Sequence, residues 1–147
     1  MKDTEDRRTR RVFLDTNVLL DYLYFRGDEA LATEYLFDAC VRGNIECHIA
    51  AHSLCNLFYI SRKDFTENQR NMIVQNFCAL CNVHPISGKT IDAAILSGYS
   101  QDLEDALQMQ CAVECKADFL ITEDRKGFEN SPIPVLHAHE LIRELQL

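Results

Sequence analysis

No apolar run in this chain approaches the roughly 18 residues of a membrane span, and its first residues, Met1-Lys2-Asp3-Thr4-Glu5-Asp6, are charged rather than signal-like. Neither a membrane protein nor a secreted one is expected. No Gly-rich phosphate loop follows any candidate strand, which argues against a P-loop NTPase or a dinucleotide enzyme. The seven cysteines are an odd number without a secretion signal, so a disulfide framework is not expected and a reducing cytoplasm is. Cys78-x-x-Cys81 has no second pair at zinc-ribbon spacing, and with Cys40, Cys55, Cys111 and Cys115 in apolar surroundings the thiols read as small core residues. Positive charge is also scarce. Fifteen Lys and Arg against 23 Asp and Glu give −8, which excludes a binder that grips phosphates over a broad basic face. An acidic protein that acts on nucleic acid needs cations to bring the two together. The one dense basic patch, Arg7-Arg8-Thr9-Arg10-Arg11, is either a solvated flanking segment or a phosphate contact.

What is present is enough for one domain: 147 residues, 47% of them hydrophobic, with no linker, repeat or low-complexity stretch. Residues 1–10 read as a flexible basic segment and 11–147 as a single domain. Short β-like runs alternate with longer helical ones. Strands are expected at Arg11–Asp15, Glu46–Ala50, Asn82–Ile86, Asp118–Thr122 and Pro134–Leu136. Helices are expected at Asn17–Phe25, from an Asp28 cap to Gly43-Asn44, from a Ser53 cap to Arg62-Lys63, and over Thr66–Leu80. Three more run from a Ser87 cap to about Gly98, over Leu103–Lys116 and over His137–Leu145. Such alternation implies right-handed βαβ crossovers and a parallel sheet covered on both faces, an α/β fold whose ligands sit outside the C-terminal strand ends.

Three acid-bearing segments border these apolar elements. Val12-Phe13-Leu14 stops at Asp15; Asp102-Leu103-Glu104-Asp105 opens a helix; Phe119-Leu120-Ile121 runs into Thr122-Glu123-Asp124. Each acid has an ordinary explanation. Asp15 could cap a helix, Asp102 and Asp105 could be first-turn acids favoured by the helix dipole, and Asp124 could form a turn. Their coincidence points further, because carboxylates gathered within a few ångströms raise one another's pKa unless a cation neutralises them. Hard oxygen donors without a matching His or Cys set favour Mg²⁺ or Mn²⁺ over zinc, and such an ion can activate water against a phosphodiester. This is the chemistry of a metal-dependent nuclease.

The segments Phe13-Leu14-Asp15-Thr16-Asn17-Val18-Leu19-Leu20-Asp21, Asp102-Leu103-Glu104-Asp105-Ala106-Leu107-Gln108 and Leu120-Ile121-Thr122-Glu123-Asp124, in this order and spacing, resemble the PIN domain. The resemblance runs from Arg11 to Leu145. It implies a Rossmann-like three-layer α/β/α fold with a short central parallel sheet, and a Mg²⁺- or Mn²⁺-dependent endoribonuclease, in bacteria often the toxin of a VapC-like toxin–antitoxin pair. It also implies Asp15, Asp105 and Asp124 as catalytic and metal-binding acids, with Asn17, Asn56, Asp102, Glu104 and Thr122 in support. Two positions depart from the family pattern. Asn56 stands where the second acid usually falls, and Gly127 precedes Phe128 where relatives often carry another Asp. Asn56 brings no charge, so weakened cation binding and weak or narrow activity are expected, and a catalytically inactive binding or regulatory module is the competing reading.

Other constellations carry less. His137-x-His139 is not expected to form a ligand pair, since helical neighbours two apart diverge, and His48, His52 and His84 read as surface or satisfied core positions. Asp15-Thr16-Asn17 lacks the second Asp of a haloacid-dehalogenase-type phosphatase. Tyr22, Leu23, Tyr24, Phe25, Tyr35 and Phe37 exceed what one core face can hide, so they form either a thicker core or a partner surface, for a homodimer or an antitoxin peptide.

Overall fold

The structure, a computed structural model, describes residues 8–147. Most of the expected basic segment, residues 1–7, lies outside the described residues. Its last residue opens the first strand, and the arginines that follow residue 7 are engaged. Arg8 Nη2 donates to Asp118 Oδ1 at 2.6 Å, Arg10 lies 3.9 Å from the same oxygen, and Arg11 Nη1 donates to the Cys115 carbonyl at 3.0 Å. These contacts pin the chain entry to the sheet, so the patch is built into the fold on its described side.

Five parallel strands form one sheet in the order β3-β2-β1-β4-β5: β1 Arg10–Leu14, β2 Ile45–Ala50, β3 Asn82–His84, β4 Phe119–Ile121 and β5 Val135–Leu136. The near-continuous apolar character of β1 and β4 follows from burial on both faces. Val12, Leu14 and Ile121 face one core with Leu19, Leu36, Phe37 and Leu57, while Phe13 and Leu120 face another with Met109, Cys111 and Phe128. Five helices build the first layer: α1 Thr16–Tyr24, α2 Ala30–Val41, α3 Ala51–Ile60, α4 Glu67–Leu80 and α7 Ala138–Leu145. The opposite layer is α5 Gly88–Ser97 and α6 Leu103–Glu114. Among the described residues no helix is long and apolar enough to cross a membrane.

Local chemistry explains the boundaries. Thr66 and Gln69 close a capping box on α4, and Ser87 and Thr90 close one on α5, which ends at Gly98 in the left-handed region with φ +70°. Two expected caps are corrected. Asp28 does not cap α2, because that helix starts after Glu29, whose own carboxylate is drawn to the His139 amide at 3.0 Å and to its ring. Ser53 does not open α3, because β2 runs straight into that helix at Ala51 and leaves Ser53 buried within its first turn.

Thiols and aromatics also differ from expectation. Cys47, Cys81, Cys111 and Cys115 are buried and Cys40 half-buried, yet Cys55 and Cys78 are exposed on the outer sides of α3 and α4 and are not core residues. Phe37 is fully buried, and Tyr22 packs on its ring at 4.1 Å, thickening the core; Phe25 and Tyr35 stay exposed. The rings of His137 and His139 do stack, at 5.8 Å and 14°, because His137 precedes α7 and escapes the helical geometry assumed for the pair.

Candidate metal centre at the switch in strand order

From β1 the chain winds outward to β2 and β3 on one side, then returns to β4 on the other. The crevice between the C-terminal ends of β1 and β4 is therefore the topological switch point, where open parallel sheets bind ligands. Asp15 follows β1 there, with its amide bonded to the Ile121 carbonyl at 3.0 Å, and Thr122 and Asp124 follow β4. Helix α6 brings Asp102, Glu104 and Asp105 over the same end of the sheet.

Asp15, Asn17, Asn56, Asp102, Glu104 and Asp105 line one cleft of about 360 Å³ with no Lys or Arg on its walls. Asp124 opens onto the adjoining depression of about 430 Å³, and Asn17 borders both. Gly127 lies against an acid of each half. A β-carbon there would stand 2.7 Å from Asp105 Oδ2 and 3.4 Å from Asp124 Oδ2, so the glycine backbone lies against both carboxylates.

Asp15 occupies the N-cap position of α1, yet its side chain makes no bond to the amides further along the first turn. Its Oδ2 instead accepts the Thr122 hydroxyl at 2.9 Å, and Thr122 Oγ1 in turn accepts the Asp124 amide at 3.1 Å. One buried threonine thus fixes two of the three acids. Burial pushes the Asp15 carboxyl up to about 6; the Thr122 bond and the Thr16 amide oppose this, while the charges of Asp105 and Glu104 reinforce it. Asp105 also rises to about 6, through burial first and then through Asp102, Asp124 and Glu104. Asp102 is the N-cap of α6, its Oδ1 accepting the Asp105 amide at 3.0 Å, which holds Asp105 in the first turn. Asn56 Nδ2 donates to Glu104 Oε1 at 3.1 Å.

Sequence reading missed a buried polar layer beneath these acids. Gln108, one turn beyond Asp105 on α6 and fully buried, donates from Nε2 to Thr16 Oγ1 at 2.7 Å and to Ser53 Oγ at 3.1 Å, with His52 Nε2 at 3.5 Å. Thr16 and Ser53 share a hydrogen bond at 2.7 Å. The layer ties α1, α3 and α6 together next to Asp15. The one available signal was a glutamine at the i+3 position from Asp105, on a helix face otherwise apolar.

Among the described residues no three Asp, Glu, His or Cys side chains close around a point as a ready-made cage. The donor set still suits a hard divalent ion. Mg²⁺ keeps several waters and is held through one or two carboxylates together with substrate phosphate, rather than by a cage supplied wholly by protein. Asp15 and Asp105 can supply those two, and the close backbone approach at Gly127 leaves Asp105 and Asp124 no intervening side chain.

The PIN domain family model matches residues 11–126. No curated protein sequence matches the chain. Similar solved structures include VapBC2 from Rickettsia felis bound to a DNA fragment from its promoter, at TM-score 0.64 and 18% identity, covering 86% of this chain and 98% of that one. A toxin–antitoxin complex from Klebsiella pneumoniae aligns at TM-score 0.64 and 22% identity, covering 86% and 97%. DNA-bound VapBC from Salmonella typhimurium aligns at 0.65 and 16%, covering 88% and 99%.

Proposed function

Because this chain belongs to the PIN domain family, whose members are generally nucleases, we propose that it is a Mg²⁺- or Mn²⁺-dependent endoribonuclease that hydrolyses RNA phosphodiesters. The observation that carries this reading is the pairing of Asp15 and Asp105, both pushed up to about 6, in one acid-lined cleft at the strand-order switch. Uncompensated carboxylates there would repel a phosphate, and a neutralising ion reverses that sign. When bound, the ion supplies Lewis-acid polarisation of the phosphate and a water of lowered pKa.

The chain's own part is positioning. Asp15 and Asp105 are the residues that would hold the ion, with Asp124 beside Asp105. Thr122 sets the rotation of the Asp15 carboxylate and ties it to the Asp124 backbone, Asp102 anchors the first turn of α6, and Asn17 spans the two halves of the cleft. Buried Gln108 and Thr16 keep α1 and α6 in register, so the carboxylates are held before any substrate arrives.

Similar folds have been solved as toxin–antitoxin complexes, which supports an antitoxin as partner and a toxin role for this chain. An apolar groove of about 390 Å³ between α1 and α4, walled by Tyr22, Leu23, Ile73, Phe77 and Leu80, fits the apolar face of an antitoxin helix, and a homodimer is the second assembly we propose. Incubating the purified protein with structured RNAs and Mn²⁺ tests the enzyme. Cleavage that vanishes on chelation and in folded Asp15→Asn supports it. No cleavage across a broad RNA panel by folded, Mn²⁺-loaded protein would leave the binding module that the charge lost at Asn56 suggests.

A further inference from the structure

The missing acid at position 56 is a puzzle only if the charge of the cleft must come from α3. Asn56 sits on α3 and lines the cleft with Asp15 and Asp105, and its amide Nδ2 donates to Glu104 Oε1 at 3.1 Å. Glu104 belongs to the first turn of α6, next to Asp105, and it is exposed and lines the cleft. Its carboxylate shares the walls of the same small cleft with Asp15 and Asp105. An aspartate at position 56 would face the Glu104 carboxylate at close range, and the two would repel. An amide there does the opposite. It presents a donor to a carboxylate and holds it in place.

We propose that Glu104 is the fourth acid of the cleft, delivering from α6 the negative charge that an acid on α3 would otherwise supply, with Asn56 as the residue that positions it. The exchange keeps the cleft's charge while moving its source from one wall to the other. The proposal rests on the reading of the cleft as a divalent-cation site. It assigns Asn56 a purpose that an eroded site would not give it, since a decayed position has no reason to present its amide to a neighbouring carboxylate.

Mn²⁺ binding to the purified chain, followed by the electron paramagnetic resonance signal of free Mn²⁺, tests it without reference to RNA cleavage. Wild type, Glu104→Gln, Asn56→Asp/Glu104→Gln and Asn56→Ala are compared, with thermal melting of each to establish that it is folded. Glu104→Gln is expected to weaken Mn²⁺ binding by about tenfold or more, a loss typical of disturbed metal surroundings. The double variant, which returns a carboxylate to α3, is expected to recover most of that affinity. Asn56→Ala, which keeps the Glu104 charge but frees its side chain, should fall between wild type and Glu104→Gln. If Glu104→Gln binds Mn²⁺ as wild type does, or if the double variant shows no recovery, the charge exchange is overturned while the cation site stands. If folded wild type binds no Mn²⁺, the cation-site reading itself falls and takes this proposal with it.

Discussion

Asp15 shows how a single residue can be costly to the fold and necessary to the site. Its side chain is buried, with 5% of the residue exposed, and burial lifts its carboxyl from 3.8 to about 6. A native pKa above the unfolded one means that the folded state takes up its proton first as pH falls, so ionised Asp15 opposes folding at neutral pH, by at most roughly 3 kcal/mol for a shift of this size. Asp15→Asn should therefore stabilise the metal-free protein at pH 7 by about 1–2 kcal/mol, since the amide oxygen still accepts from Thr122 more weakly than a carboxylate does. Melting temperature should rise by about 3–6 °C while Mn²⁺ binding is lost, and a variant that melts lower than wild type refutes the strain assigned to this carboxylate. Gly127 carries a second consequence at this scale. A β-carbon there would stand 2.7 Å from Asp105 Oδ2, so any side chain at this position forces that carboxylate tip to shift. Gly127→Ala should leave stability within about 1 kcal/mol, since a carboxylate tip can turn aside, yet weaken Mn²⁺ binding about tenfold by displacing Asp105. Equal Mn²⁺ affinity in calorimetry would show that the Asp105 position does not matter.

Among the elements, α6 concentrates the function. One helix supplies its own cap in Asp102, the acids Glu104 and Asp105 in its first turn, and Gln108 on its buried face. Its acids were legible in the sequence because acids next to the start of an apolar helix stand out, and the Ser87 cap was legible because the capping residue lies beside the helix it opens, whereas the box that Thr66 closes with Gln69 was not read. Gln108, Ser53 and Glu29 were not, since their partners lie 92, 55 and 110 residues away and no local pattern announces them. The buried layer makes its own prediction. Gln108→Leu keeps the volume and leaves Thr16 and Ser53 bonded to each other, so urea unfolding should show a loss within about 1 kcal/mol. Gln108→Glu keeps the shape but buries a charge with no cation beside it, and should cost about 3–5 kcal/mol. Similar losses in the two would mean that packing, rather than the hydrogen bonds, is what Gln108 contributes.

For the whole molecule, topology and charge act together. The alternating apolar runs made the parallel sheet and the strand-end acids readable, whereas the strand order that sets Asp15 beside Thr122, and the approach of Gly127 to both Asp105 and Asp124, exist only once β4 returns beside β1. A chain of net charge −8 that gathers acids at this switch point must exchange protons for cations there. Asp15 and Asp105 both titrate near 6, so below that pH protons compete with the ion at two carboxylates and Mn²⁺ affinity should fall steeply between about pH 6.5 and 5. Metal-free stability needs more care. Asp15, Asp105 and Glu123, the last raised to about 7 by burial and by its bond with Asp21, each gain stability on protonation as pH falls toward the unfolded carboxylate range. His48 and His52, lowered by burial, lose it below their unfolded value, so a melting curve of wild type alone mixes both signs. The difference between wild type and Asp15→Asn isolates one group. That difference should be largest near pH 7, where wild-type Asp15 is ionised in both states, and shrink as pH falls through about 6, levelling out only near about pH 3, below the unfolded value of 3.8, where its carboxyl is neutral in both folded and unfolded chains. A stability difference that stays constant across this range would place the Asp15 carboxylate in solvent, outside any shared cation pocket.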